Sequence, residues 1–248
     1  MGVMIAYYTT QCKLVTTKEK MPIKKIIIGD IHGCSEELLQ IICKANFSSG
    51  SDELFLTGDV FSRGPDPLGV WKIIVEHQAQ MVMGNHDVRL LEQLRLILSG
   101  NNPKELKSDQ LQTIKQLEPA HSEIFHWLSK CPLYIKTKHF LLVHAGINPI
   151  GGLDGTSFDE FISIRCWPPK KNKLEGSRWH DFYKKKHPLI IFGHDAPNGL
   201  VIKEIENERY LIGLDTGCVY GGKLSAYSIG EDLLIQVESK QSKQNKWR

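Results

Sequence analysis

Short uninterrupted apolar runs alternate along this chain with longer stretches in which apolar residues recur at helical spacing. The first run, Ile26 to Ile28, is β-branched throughout and stops at Gly29, as a strand buried on both faces would. Behind it Leu38, Leu39, Ile41 and Ile42 follow Ser35, a candidate cap, with Glu36 and Glu37 favourable in the first turn; this predicts a helix ending near Asn46. A second run, Glu53 to Thr57, leads to a helix opened by Pro67 and reaching about Gln78, and a third run covers Ala79 to Met83. Val88 to Lys130 has mostly helical periodicity with a break at Ser99 to Pro103, and it packs against the fold or forms a small cap. Leu133 to Thr137 and Phe140 to Val143 pattern as a hairpin, Phe158 to Ile164 as a short helix, and Leu189 to Phe192 as another buried strand. From Leu200 to Val237 apolar and polar residues alternate around glycine turns, which predicts an antiparallel second sheet. The order of elements is that of an α/β protein, with an open, largely parallel sheet and its ligands beyond the strand C-termini.

Polar residues with metal-binding chemistry are concentrated where those strands end. Asp30 and His32 stand in GDIHG, Asp59 in GDVFSRGP, Asn85 and His86 in GNHD, His144 in HAG, and His194 in GHD. A single Asp-x-His turn or a lone histidine is ordinarily structural, but five glycine-flanked strand ends are not a coincidence. Carboxylate oxygen, an amide carbonyl and neutral imidazoles without a thiolate suit two divalent cations of the manganese, iron or zinc kind, with Asp59 as the natural bridge.

Composition narrows the remaining possibilities. With 248 residues, 41% hydrophobic and 24% charged, the chain can form one large globular domain, here expected over 23–238 with a helical segment at 88–130. Residues 1–22 pattern as an N-terminal extension and 239–248 as a polar, frayed tail. The net charge of +3 does not by itself argue for nucleic acid, although Lys170, Lys171 and Lys173 and the run Lys184 to Lys186 could face a polyanion. Six cysteines without a CxxC pair argue against a zinc knuckle and for free thiols in a reducing, cytoplasmic setting. No stretch is long and apolar enough for a membrane span.

Taken in order, GDIHG, GDVFSRGP, GNHD, HAG and GHD resemble the signature of the metallophosphoesterases, in particular the phosphoprotein-phosphatase superfamily with GDxHG, GDxxDRG, GNHE, HAG and GH. The resemblance runs from about Lys24 to about Tyr227, and LDTGCVYGGKLSA together with FGHDA is most similar to the diadenosine tetraphosphatase branch, the symmetrical bis(5'-nucleosyl)-tetraphosphatases. It implies a calcineurin-like metallophosphoesterase fold, two mixed sheets flanked by helices in an α-β-β-α sandwich. It also implies two divalent metal ions, manganese first, with iron or zinc as alternatives. The implied reaction is hydrolysis of a phosphate ester or phosphoanhydride by direct attack of a metal-bound hydroxide.

By position the resemblance assigns Asp30 and His32 to the first metal, Asp59 as the bridge, and Asn85, His144 and His194 to the second. It makes His86 the general acid and Arg63 a phosphate ligand, with Arg165 as a second phosphate arginine, Asn85 contributing to substrate binding, and Tyr220 lining the site. Substrates implied are a dinucleoside polyphosphate or a phosphoprotein, with polyphosphate or an RNA 5' end as alternatives and no membrane partner. One position departs from the pattern: the aspartate that orients the catalytic histidine is replaced by Ser62. Asp87 or Asp195 could substitute for it, or the substrate could be an anhydride, whose leaving group needs less protonation. A metal-bound interaction module with weakened catalysis is the alternative from another class.

Overall fold

The computed structural model describes residues 23–103, 106–170, 174–184 and 188–243. Strands β1 (Lys25–Ile28), β2 (Glu53–Leu56) and β3 (Gln80–Met81) run parallel, linked by α1 (Ser35–Lys44) and α2 (Pro67–Glu76). Then come α3 (Asn85–Leu98), α4 (Ser108–Gln116) and α5 (His121–Leu128), followed by the hairpin β4 (Tyr134–Lys136) and β5 (Phe140–Val143). Helices α6 (Phe158–Ser163) and α7 (Trp179–Phe182) precede β6 (Leu189–Phe192), β7 (Val201–Ile205), β8 (Glu208–Gly213), β9 (Lys223–Ile229) and β10 (Leu233–Glu238).

The strands form two five-stranded mixed sheets, ordered β10-β9-β1-β2-β3 and β4-β5-β6-β8-β7. Ile27, Phe55 and Val82 of the first sheet meet Phe140, Leu142, Ile191 and Ile212 of the second in a common apolar layer. The outer face of the first sheet packs on α1 to α5, and that of the second on α6 and α7. These four layers are the α-β-β-α sandwich of a calcineurin-like fold.

The segment expected as one antiparallel sheet is divided between the two. β7 and β8 join the second sheet, where β8 lies parallel to β6, while β9 and β10 add antiparallel to the edge of β1. The reason lies in β8, whose buried Tyr210 to Gly213 form a central strand covered on both faces, unlike the half-exposed alternation of β7.

Three local expectations also change. Cys34, not Ser35, is the residue before α1, and the Ser35 hydroxyl instead donates to Asp66 Oδ2 at 2.7 Å. α3 begins at Asn85, so Asn85 and His86 occupy a helix start rather than a loop. Residues 239–241 are not frayed: Lys240 N donates to the buried Glu37 at 2.7 Å, and Lys240 Nζ pairs with Glu36. Residues 1–22, with Cys12, and Lys171, Lys173, Lys185 and Lys186 lie outside the described residues. No helix among the described residues is long and apolar enough to cross a membrane.

Candidate metal centre and phosphate cavity

The C-terminal ends of β1, β2, β5 and β6 converge where the two sheets meet, β1 delivering two of the expected side chains and the others one each. Asp30, His32, Asp59, His144 and His194 are all buried, between 0% and 6% exposed, which is possible for so many polar groups only if they face one another. Their oxygen and nitrogen atoms form two donor groups, Asp30 with His32 and Asp59, and Asp59 with His144 and His194, the atoms of each within 4.8 Å of one another. Asp59 Oδ2 is common to both, 3.8 Å from His32 Nε2 and 3.7 Å from His144 Nε2. Asn85 Oδ1 lies 3.3 Å and His194 Nδ1 3.2 Å from the same His144 nitrogen.

Contacts behind these donors fix their orientation. His144 Nδ1 donates to the Thr57 carbonyl at 2.8 Å, so its Nε2 carries the lone pair and points at the cluster. Asp30 accepts from the Thr57 hydroxyl at 2.8 Å and from His194 N at 3.0 Å, and Asp59 Oδ1 accepts from His86 N at 2.8 Å. Asp87 is buried beneath them, taking the Asp59 N–H at 2.6 Å and the Gly84 N–H at 3.1 Å. His32, Asp59, Arg63 and His194 all have positive φ, between 48° and 74°, a conformation that costs non-glycine residues of order 1 kcal/mol or more each. Two glycines allow the close approach. A Cβ on Gly84 would sit 2.3 Å from Asp59 Oδ1, and one on Gly193 would sit 1.9 Å from Asp30 Oδ1.

Electrostatics set the chemical character of the cluster. Burial pushes the Asp30 carboxyl well up, helped by Asp215 and Asp59, and raises Asp59 and Asp215 to about 6 each. Burial lowers His144 to about 4 and holds the His86 imidazolium far below its usual range. Packed carboxylates beside neutral imidazoles, at a point shared by two donor groups, fit two divalent cations of intermediate hardness.

Around this centre opens a cavity of about 770 Å³. Arg63 and Arg165 face it from opposite elements, and Tyr220 lines it with its hydroxyl accepting from Arg63 and its ring 5.7 Å from the guanidinium carbon. His86 also lines it, edge-on to His32 and 4.0 Å from Asp59. The Ser62 hydroxyl is 3.0 Å from His32 Nδ1, so it serves the metal-side histidine and not His86. Neither proposed substitute takes over: Asp87 is occupied by backbone N–H groups, and Asp195 sits between Arg165 and Arg178.

Sequence reasoning missed Asp215, Arg89 and Thr57. Asp215 lines the cavity with Asp30 and Asp59, its charge repelling theirs, and Arg89 lines it from α3. The signal for Asp215 was present: it follows the apolar run Tyr210 to Leu214 just as Asp30 follows Ile26 to Ile28.

Comparison with known proteins agrees with this geometry. Residues 23–230 match the family model described as calcineurin-like phosphoesterase. The chain is 30% identical over 271 residues to a symmetrical bis(5'-nucleosyl)-tetraphosphatase of Neisseria meningitidis, covering 86% of this chain and 94% of the relative. It is 37% identical over 159 residues to the protein of the same name from Photorhabdus laumondii, covering 60% and 56% respectively. The crystal structure of a "putative diadenosine tetraphosphatase" superposes with a TM-score of 0.70 at 29% identity, over 89% of this chain and 95% of the other. A protein serine/threonine phosphatase of Saccharomyces cerevisiae shares the fold, with a TM-score of 0.59 at 13% identity, over 92% and 83%.

Proposed function

The chain belongs to the calcineurin-like phosphoesterases, hydrolases of phosphate esters and anhydrides with a dinuclear divalent-metal site, and from that premise we propose that it cleaves the phosphoanhydride of a dinucleoside polyphosphate. Asp30, His32 and Asp59 hold one cation, manganese by preference. Asp59, Asn85, His144 and His194 hold the other. Bound there, such a pair supplies Lewis acidity toward phosphoryl oxygens and a water acidified toward neutrality. Arg63 and Arg165 clamp the phosphate from two sides of the cavity, with contacts that strengthen as charge develops on its oxygens. Tyr220 keeps the Arg63 fork aimed by taking one of its N–H groups.

The observation that carries the reading is Asp59 Oδ2, equidistant to within 0.1 Å from His32 Nε2 at 3.8 Å and His144 Nε2 at 3.7 Å, where a bridging carboxylate belongs. The preference for an anhydride rests on His86. The position that would carry a supporting carboxylate is Ser62, whose hydroxyl faces His32, so an imidazolium at His86 lacks that support, which suits a leaving group that departs as a stable phosphate anion. The names of these two relatives point the same way.

The test is phosphate release by manganese-loaded protein from diadenosine tetraphosphate, polyphosphate, phosphoserine and phosphotyrosine peptides and an aryl phosphate. Diadenosine tetraphosphate is expected to be preferred, and Asp59→Asn to lower kcat by about a thousandfold or more. Preferred peptide turnover would replace the substrate reading with a protein phosphatase. An active Asp59→Asn would overturn the site.

A further inference from the structure

Asp195 follows His194 in the chain, yet it does nothing in the donor groups. Its carboxylate is turned away from the cavity, is 5% exposed, and stands between two arginines. Oδ2 lies 2.7 Å from Arg178 Nε and Oδ1 lies 3.3 Å from Arg165 Nε. The two contacts differ in kind. Arg178 is anchored on several sides: Nη1 reaches Cys166 Sγ and the Leu174 carbonyl at 3.3 Å each, and its backbone N–H bonds Asp181 at the start of α7. Arg165 Nε and Asp195 Oδ1, by contrast, form an ion pair without hydrogen-bond alignment, and each is a buried atom lacking a hydrogen-bond partner. The Arg165 head is otherwise directed by Nη2, which donates to the His194 carbonyl at 2.9 Å. Arg165 lines the main cavity and Arg178 does not.

We infer that Asp195 is a positioning residue: braced by the fixed Arg178, its carboxylate aims the Arg165 guanidinium at the substrate phosphate. This rests on the phosphohydrolase reading above, in which Arg165 binds phosphate. The guanidinium is a planar fork whose contacts with phosphate are directional, so a change of aim costs binding even though the positive charge remains. Asp195 touches neither the donor atoms nor the cavity, so its influence falls on substrate affinity and passes through Arg165. Arg178 acts one step further back, as the strut that holds the carboxylate in place.

The experiment is steady-state kinetics on diadenosine tetraphosphate and an aryl phosphate, with manganese content and melting temperature measured for every variant. Asp195→Asn should raise KM by about tenfold, as expected for loss of one charge-assisted contact, while kcat stays within about threefold. Combined with Arg165→Lys it should add little to the KM of Arg165→Lys alone, since one acts through the other. Arg178→Lys, two steps from the substrate, should raise KM by about threefold and serves if Asp195→Asn fails to fold. A KM rise in Arg165→Lys with none in Asp195→Asn or Arg178→Lys would overturn the inference. So would a fall in kcat or manganese content at unchanged KM, which would mean that Asp195 acts through His194. If Arg165→Lys itself leaves KM unaltered, it is the phosphate-binding reading that fails.

Discussion

Four residues of the site, His32, Asp59, Arg63 and His194, hold backbone conformations that side chains normally avoid. The strain is sustained by contacts that leave no alternative: the carbonyl of Asp59 accepts from His32 N at 2.9 Å, and His194 N is held by Asp30 at 3.0 Å. The glycines beside them make that density possible. Gly193→Ala would drive a methyl to within 1.9 Å of Asp30 Oδ1 and toward the Thr57 hydroxyl, displacing a carboxylate whose orientation depends on both neighbours. It should weaken manganese binding by about tenfold or more, as loss of a supporting contact does, and isothermal titration measures this directly. Unchanged affinity would show that Asp30 is not held as described.

Between elements, the two ligand-bearing turns after β1 and β2 are tied by Asp66. Its Oδ1 caps α2 by accepting from Gly69 N at 2.9 Å, its Oδ2 takes the Ser35 hydroxyl of α1, and its own N–H bonds the Gly33 carbonyl at 2.9 Å. The Asp66 side chain therefore fixes the start of two helices, and its backbone N–H ties the loop that carries Arg63 to the turn after β1. Asp66→Ala removes a cap and a charge-assisted bond together and should cost about 1 to 2 kcal/mol of stability. Chemical denaturation would read this as a lower midpoint at constant slope, whereas a loss under about 0.3 kcal/mol would mean the cap contributes little.

Over the whole molecule, the centre is a concentration of buried negative charge that metal ions relieve. Asp59 and Asp215 at about 6 and Asp87 at about 7 are all raised, chiefly by burial. Without metal, the folded chain holds protons on these carboxylates between about pH 4 and pH 7 that the unfolded chain has released, which lowers stability as pH rises, while the buried His144 and His86 refuse protons that the unfolded chain binds below about pH 6.5, which raises it. Manganese, which holds the carboxylates ionised and competes there with protons, should raise the melting temperature more at pH 8 than at pH 5. Thermal melts at the two pH values, with and without chelator, decide it: a manganese increment no larger at pH 8 than at pH 5 would contradict the burial account.

The sequence by itself determined the strands and the polar side chains that gather at their ends. A buried strand needs a continuous apolar run, and a ligand turn needs glycine, so Ile26 to Ile28 with Asp30 and His32, or Leu189 to Phe192 with His194, are written in adjacent residues. Asp59 between the two donor groups was readable for the same reason. Only the tertiary structure decided what depends on contact between distant segments. It parted β8 from β9 into different sheets, gave Ser62 to His32 instead of His86, brought Asp215 to the cavity with Asp30 and Asp59, and set Asp195 between Arg165 and Arg178. Alternation along a strand specifies which face is buried but not which neighbour it pairs with. A polar side chain likewise acquires its partner only when two chain segments far apart in sequence are packed together.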